Sequence, residues 1–301
     1  MSATVSNGPN GPNGPNGGDA QIVARGFQRY DGERAGVAGA IRSVMWQSIR
    51  ATLGLGRSAK HKIFPVVSVA IAYVPAIVFI GIAVLIPSGI VDGPTYPEYY
   101  GFIVSAIALF AALVAPEVLV SDRRNGMLAM YLSTPLHRGT YLVAKMLAVA
   151  LTLGLVTLGP PFLVLLGYTF DGSGPDGFGN WLLVLFRIVV SGVAVSAALT
   201  AISMAASSLT DRRAFASIGV VLLILASPML AGALVEGGGM SDNWYLLDVF
   251  SMPFELVFRI FGDTGSFPTV STVAVVAVNA AWTVGGLAVV AWRYSRLVIA
   301  R

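Results

Sequence analysis

The chain has 301 residues, of which 55% are hydrophobic and 11% charged, with a formal net charge of +4 and a mean hydropathy of +0.76. Soluble domains carry about 25% charged residues, so a water-soluble globule is excluded and lipid must form part of the solvent. There is no cysteine, which removes disulfides, thiolate metal sites and thiol nucleophiles.

Residues 1–20 contain "NGPNGPNGPNGG" and no apolar run. Gly and Pro at this density form neither helix nor core, so residues 1–36 read as a flexible tail and not as a signal peptide. Residues 37–62 mix Ile41, Val44, Met45, Trp46, Ile49 and Leu53 with Arg42, Arg50 and Arg57. Helical spacing puts them on an amphipathic helix in the membrane surface, with Trp46 at headgroup depth. That helix serves as an anchor, as a contact for a partner, or as both.

Residues 63–301 form the membrane domain. A hydrocarbon core of roughly 30 Å takes about 20 apolar residues per helix. Six runs qualify, near 64–86, 101–120, 142–168, 181–207, 214–234 and 269–292. Pro160-Pro161 in the third and Pro228 in the fifth predict kinks or breaks. The fold class is therefore all-α and polytopic, with six spans behind an amphipathic interfacial helix.

Seventeen of the nineteen Lys and Arg residues fall on one side of this layout, leaving Arg187 and Arg259 towards the other. The opposite loops carry Asp92, Glu98, Asp171, Asp176, Glu236, Asp242, Asp248, Glu255 and Asp263. The positive-inside rule then predicts a multi-pass protein of the cell membrane with both termini cytoplasmic.

Between the fifth and sixth spans lies "SMPFELVFRIF". Ser251 as cap and Pro253 in the first turn predict a short apolar helix at the outer side, with Glu255 and Arg259 paired at i,i+4. Two further charges lie within spans. Glu117 reads as a snorkelling group that pairs with Arg123 or Arg124. Arg187 reads as the structural partner of Asp171, Asp176 or Glu255.

Catalytic constellations are lacking. No lysine sits in the Gly-Lys-Ser or Gly-Lys-Thr context of a P-loop. His61 and His137 have no carboxylate at ligand spacing, and no pair of intramembrane carboxylates exists for a proton relay. No catalytic, cofactor or metal site is expected in this chain, and it is not expected to be an enzyme. Nothing suggests a nucleic-acid partner.

The loop after the second span, "SDRRNGMLAMYLSTPLHRGTYLVAK" (residues 121–145), is charged at its start and apolar in its middle. Met127, Met130, Tyr131 and Thr134 share one helical stripe, and Thr134-Pro135 stops the helix. This loop resembles the corresponding loop of ABC-2 type transporter permeases, at Asp122, Arg123, Arg124, Gly126, Leu128, Leu132, Thr134, Pro135, Arg138 and Lys145. The likeness extends to the layout of residues 40–297.

The resemblance implies an ABC-2 exporter fold and a permease subunit that exports a hydrophobic or amphipathic substrate. It implies a separate ATP-binding cassette ATPase that holds ATP and Mg, and a second permease copy or a related permease in lipid. The loop would then be the coupling element. Asp122, Arg123, Arg124 and Arg138 would make polar contacts to the ATPase, and Met127, Met130 and Tyr131 the apolar seat. A different reading stays open: a membrane-integral scaffold or accessory subunit with no transport path of its own.

Overall fold

The computed structural model describes residues 36–56, 59–85, 93–132 and 135–296, without the side chains at 59–61, 64 and 129. Thr134, the tail over 1–35, and Arg57 lie outside the described residues. Ten α-helices and no strand occur among the described residues: α1 Gly36–Thr52, α2 Ala59–Leu85, α3 Tyr96–Arg124, α4 Met127–Leu132, α5 Arg138–Thr157, α6 Gly159–Asp171, α7 Gly177–Ser208, α8 Arg213–Gly232, α9 Met252–Phe261 and α10 Thr272–Ser295.

Six membrane-spanning units result: Pro65–Leu85, Tyr96–Arg124, Arg138–Asp171, Gly177–Ser208, Arg213–Gly237 and Thr272–Ser295. The chain is a polytopic helical membrane protein. Its spans alternate in direction, so the bundle has two ends. The basic end carries α1, α4 and the Thr210–Arg213 turn. The acidic end carries α9 and the loops around it.

α3 is the most buried span and the axis of the bundle. Tyr99, Tyr100, Ile103, Ile107 and Phe110 are all fully enclosed on its inward faces. α2, α8 and α10 are the most exposed spans and turn Val, Leu and Ile side chains outward, which is stable only against lipid. α1 buries Val44, Ser48 and Thr52, a stripe at i, i+4 and i+8, and packs chiefly on α5. Trp46 is exposed on its other side.

The third span is broken as its prolines predict. α5 ends at Thr157 and α6 restarts at Gly159, with Pro160 in its first turn. The Thr157 carbonyl would accept from residue 161, but Pro161 has no N–H. The Tyr100 hydroxyl supplies that donor at 2.9 Å, and the Tyr73 hydroxyl donates to the Leu155 carbonyl at 3.0 Å. Two carbonyls at the break are thus supplied with donors in a region without water. α7 crosses it closely at Gly192, where any Cβ would collide with Leu158.

At the acidic end α9 begins after Ser251, but not through that side chain. Ser251 has helical backbone angles (φ −78°, ψ −27°) and makes no side-chain cap bond. Asp248 replaces it: its Oδ1 accepts from the N–H groups of Phe250 at 3.1 Å and Ser251 at 2.9 Å. Glu255 and Arg259 form the expected i,i+4 contact at 2.8 Å and are both buried. The pair is completed by backbone: Ser266 N–H donates to Glu255 at 2.9 Å, and Arg259 donates to the carbonyls of Phe267 and Val270. A buried ion pair needs such extra bonds to offset its desolvation. Here they tie the loop before α10 to α9.

Candidate functional site at the basic end

The segment from Glu117 to Lys145 binds the basic ends of the helices together. α3 stops at Arg124, and Gly126 follows in the left-handed region (φ +64°). Only glycine takes that conformation without steric cost. The reversal that it permits sends α4 back beneath the bundle, and α5 starts at Arg138.

Asp122, in the last turn of α3, is buried. It lies 2.6 Å from the Lys145 ammonium, and the Tyr141 hydroxyl donates to it at 2.9 Å. Lys145 in turn donates to the Ser48 hydroxyl at 2.8 Å, which joins α1 to the cluster. The ammonium also faces the rings of Tyr131 and Tyr141, at 5.4 and 5.5 Å, a favourable cation–π arrangement. Burial, and then the Asp122 carboxylate, raise the Tyr131 hydroxyl above its ordinary pKa. A cavity of about 120 Å³ lies beside this cluster, between Gln47, Ser48, Asp122, Met127, Tyr131 and Lys145 among others.

Arg123 has only 6% of its side chain exposed. Its guanidinium donates to the carbonyls of Ser208 at 2.9 Å, Ser207 at 2.6 Å and Thr210 at 2.5 Å. These are orphan acceptors at the C-terminus of α7, where positive charge is also favoured by the helix dipole. Arg123 further contacts Asp211 at 3.5 Å and covers the Tyr294 ring at 5.7 Å. Arg138 performs the same service for α10, donating to the carbonyls of Ser295 at 2.8 Å and Tyr294 at 3.3 Å.

Glu117 pairs with neither Arg123 nor Arg124. It reaches across to Arg213, at the start of α8, at 2.5 Å. Arg187 likewise finds none of the three expected carboxylates. It donates to the Phe261 carbonyl at 3.2 Å and covers that ring at 5.9 Å, so it caps the C-terminus of α9. In both cases the partner is brought up by the packing of α7 and α8, which sequence spacing does not encode.

The described residues of the loop therefore divide. Asp122, Arg123 and Arg138 are committed inward. Tyr131 and Leu128 pack against the core, whereas Met127 is half-buried. Arg124, Asn125, Gly126, Met130 and Pro135 are exposed. The stripe Met127, Met130, Tyr131 thus does not face one way: Met130 points out and Tyr131 in. The residues that sequence reasoning missed are Ser48, Tyr141, Arg213 and the carbonyls of Ser207, Ser208 and Thr210. Buried Lys145 in an apolar run was the one available signal for the first two.

A six-span helical bundle whose basic ends are tied together by side chains from the end of α3 and the start of α5 defines a polytopic membrane subunit. The chain belongs to the ABC-2 transporter family: the family model described as ABC-2 family transporter protein matches residues 29–297. No curated protein matches the sequence.

Proposed function

We propose that this permease subunit works in an ATP-driven exporter of hydrophobic or amphipathic molecules. A separate ATP-binding cassette subunit holds ATP and Mg, and two permeases, identical or related, form the pathway in the cell membrane. The basic end faces the cytoplasm, in keeping with the distribution of Lys and Arg, and the ATPase docks on the exposed side of α4.

One observation carries this reading. Arg123 and Arg138 flank α4 and hold the C-termini of α7 and α10, while Asp122 and Glu117 hold α5 and α8. Motion at the end of α3 and the start of α5, the two helices that α4 connects, is thereby passed to four spans at once. ATP can drive such a device only by binding one arrangement of the pair more tightly than the other.

Affinity purification of the full chain in mild detergent tests the proposal. The expected result is an ATPase subunit in stoichiometric amount, with ATP turnover stimulated by an amphipathic substrate. A stable complex with no ATPase subunit and no ATP turnover would favour the scaffold reading instead.

A further inference from the structure

Two cavities lie end to end along one face of α3. The first, of about 370 Å³, sits at membrane depth between α3 and α8 and is lined by Val104, Ala108, Val221, Ile224, Leu225 and Phe250 among others. Ser105 is its one polar lining residue. The second, of about 270 Å³, lies towards the acidic end between α3 and α9 and includes Glu98, Tyr100, Ser251, Phe254, Glu255 and Ser266. Both are lined by Val104 and Phe250. The Phe250 ring, edge-on to Phe254 at 5.4 Å, stands at their junction.

Local sequence explains the groove. Gly101, Ser105 and Ala108 recur at helical spacing on α3, so this face lacks bulk where α8 and α9 diverge. Leu109, Val221 and Leu225 are exposed at its rim, so the apolar chamber opens to lipid. The second chamber is unlike it: two carboxylates line it, and no Lys, Arg or His does among the described residues. Glu255 has both oxygens engaged, by Arg259 and Ser266. Glu98 is exposed, and its Oε2 accepts one bond, from the Thr95 N–H at 2.8 Å. A carboxylate offers about four acceptor sites, so it can bind a further donor.

We infer that this groove binds a single-tailed amphiphile with a cationic amine head, the tail in the lipid-facing chamber and the head on Glu98. The inference rests on the exporter reading and names its substrate class. Charge decides against an anionic head, which would meet Glu98 and Glu255 with no free cation in the chamber. A wholly apolar guest would leave the spare acceptor sites of Glu98 unused. Phe250, which lines both chambers, stands between the head and the tail.

The full chain in nanodiscs of zwitterionic lipid provides the test. The probes are an alkylammonium and an alkyl phosphate of equal length, each with a nitroxide on its chain, and the readout is the immobilised fraction in the spin-label spectrum. The ammonium probe is expected to show a saturable immobilised component and the phosphate probe none above free lipid. Glu98→Gln keeps the acceptor for Thr95 but removes the charge, and should weaken ammonium binding about tenfold. Ser105→Trp, on a face already open to lipid, should abolish it.

Equal immobilisation of both probes, or unchanged binding in Glu98→Gln, would overturn the inference. So would efficient disulfide formation between copies bearing Ser105→Cys, which would show that a second copy covers the groove; the chain has no other thiol. Since no ATPase is needed for binding, a bound ammonium probe without a co-purifying ATPase would reject the ATP-driven reading alone.

Discussion

Lys145 lies 2.6 Å from Asp122 and 2.8 Å from Ser48, so one buried ammonium joins the last turn of α3, the second turn of α5 and the C-terminal part of α1. Lys145 has 3% of its side chain exposed and Asp122 12%, which makes the pair sensitive to the loss of either member. Lys145→Met should cost about 3–5 kcal/mol, because it leaves a buried carboxylate uncompensated. The double variant Asp122→Asn with Lys145→Met should recover most of that loss. Thermal unfolding of the four proteins in detergent forms the double-mutant cycle, and additive losses would refute the coupling.

Tyr100 provides a second, independent case at the break in the third span. Its hydroxyl is the donor that Pro161 cannot supply to the Thr157 carbonyl. Tyr100→Phe leaves a buried acceptor orphaned and should destabilise by about 1–3 kcal/mol. Tyr245→Phe removes an exposed hydroxyl bond to Glu236 and should stay within about 0.5 kcal/mol of the parent. Equal effects on the melting temperature would show that the break is satisfied in another way.

These two sites mark what one dimension can and cannot carry. The six spans, the basic and acidic ends and the break at Pro160-Pro161 were legible, because length, charge sign and a missing N–H are properties of the residue run itself. The i,i+4 contact of Glu255 with Arg259 was legible for the same reason. Partners of Glu117, Arg123, Arg138 and Arg187 were not. Three of these four bind backbone carbonyls at helix C-termini, and every helix offers such carbonyls whatever its sequence. Glu117 chose Arg213 because α3 packs against the start of α8, a tertiary fact. Ser251 shows the local version: it has the right side chain for a cap but the wrong backbone angles, and Asp248 took the role.

Gly126 turns the chain from α3 into α4 with φ +64°. A Cβ there would meet no neighbouring atom, so the cost of Gly126→Ala is purely conformational, roughly 1–2 kcal/mol. The expected variant inserts and unfolds slightly earlier, but presents α4 in a shifted orientation, and so loses ATPase docking more than stability. Unchanged docking by pull-down would mean that α4 is held by its side chains and not by the turn.

Arg123 and Arg124 are neighbours with opposite surroundings. Arg123 holds three carbonyls at the end of α7 and is almost wholly covered, whereas Arg124 is exposed. Arg123→Ala should therefore act within the chain. It orphans the Ser207, Ser208 and Thr210 carbonyls, costs about 1.5–3 kcal/mol in lost charge-assisted bonds, and speeds hydrogen exchange around the α7–α8 turn. Arg123→Lys should rescue it poorly, because an ammonium cannot span the three acceptors as a planar guanidinium does. Arg124→Glu should leave melting and exchange near the parent values and instead weaken the ATPase contact. A rim charge acts mainly on association rate and salt dependence, so the loss should be largest at low salt and shrink as the Debye length falls from about 10 Å at 0.1 M to about 3 Å at 1 M. Titration of the ATPase subunit at both salt concentrations separates the two arginines. If Arg124→Glu binds the ATPase like the parent at low salt while Arg123→Ala does not, docking depends on the linked helix ends, and the exposed side of α4 is not its surface.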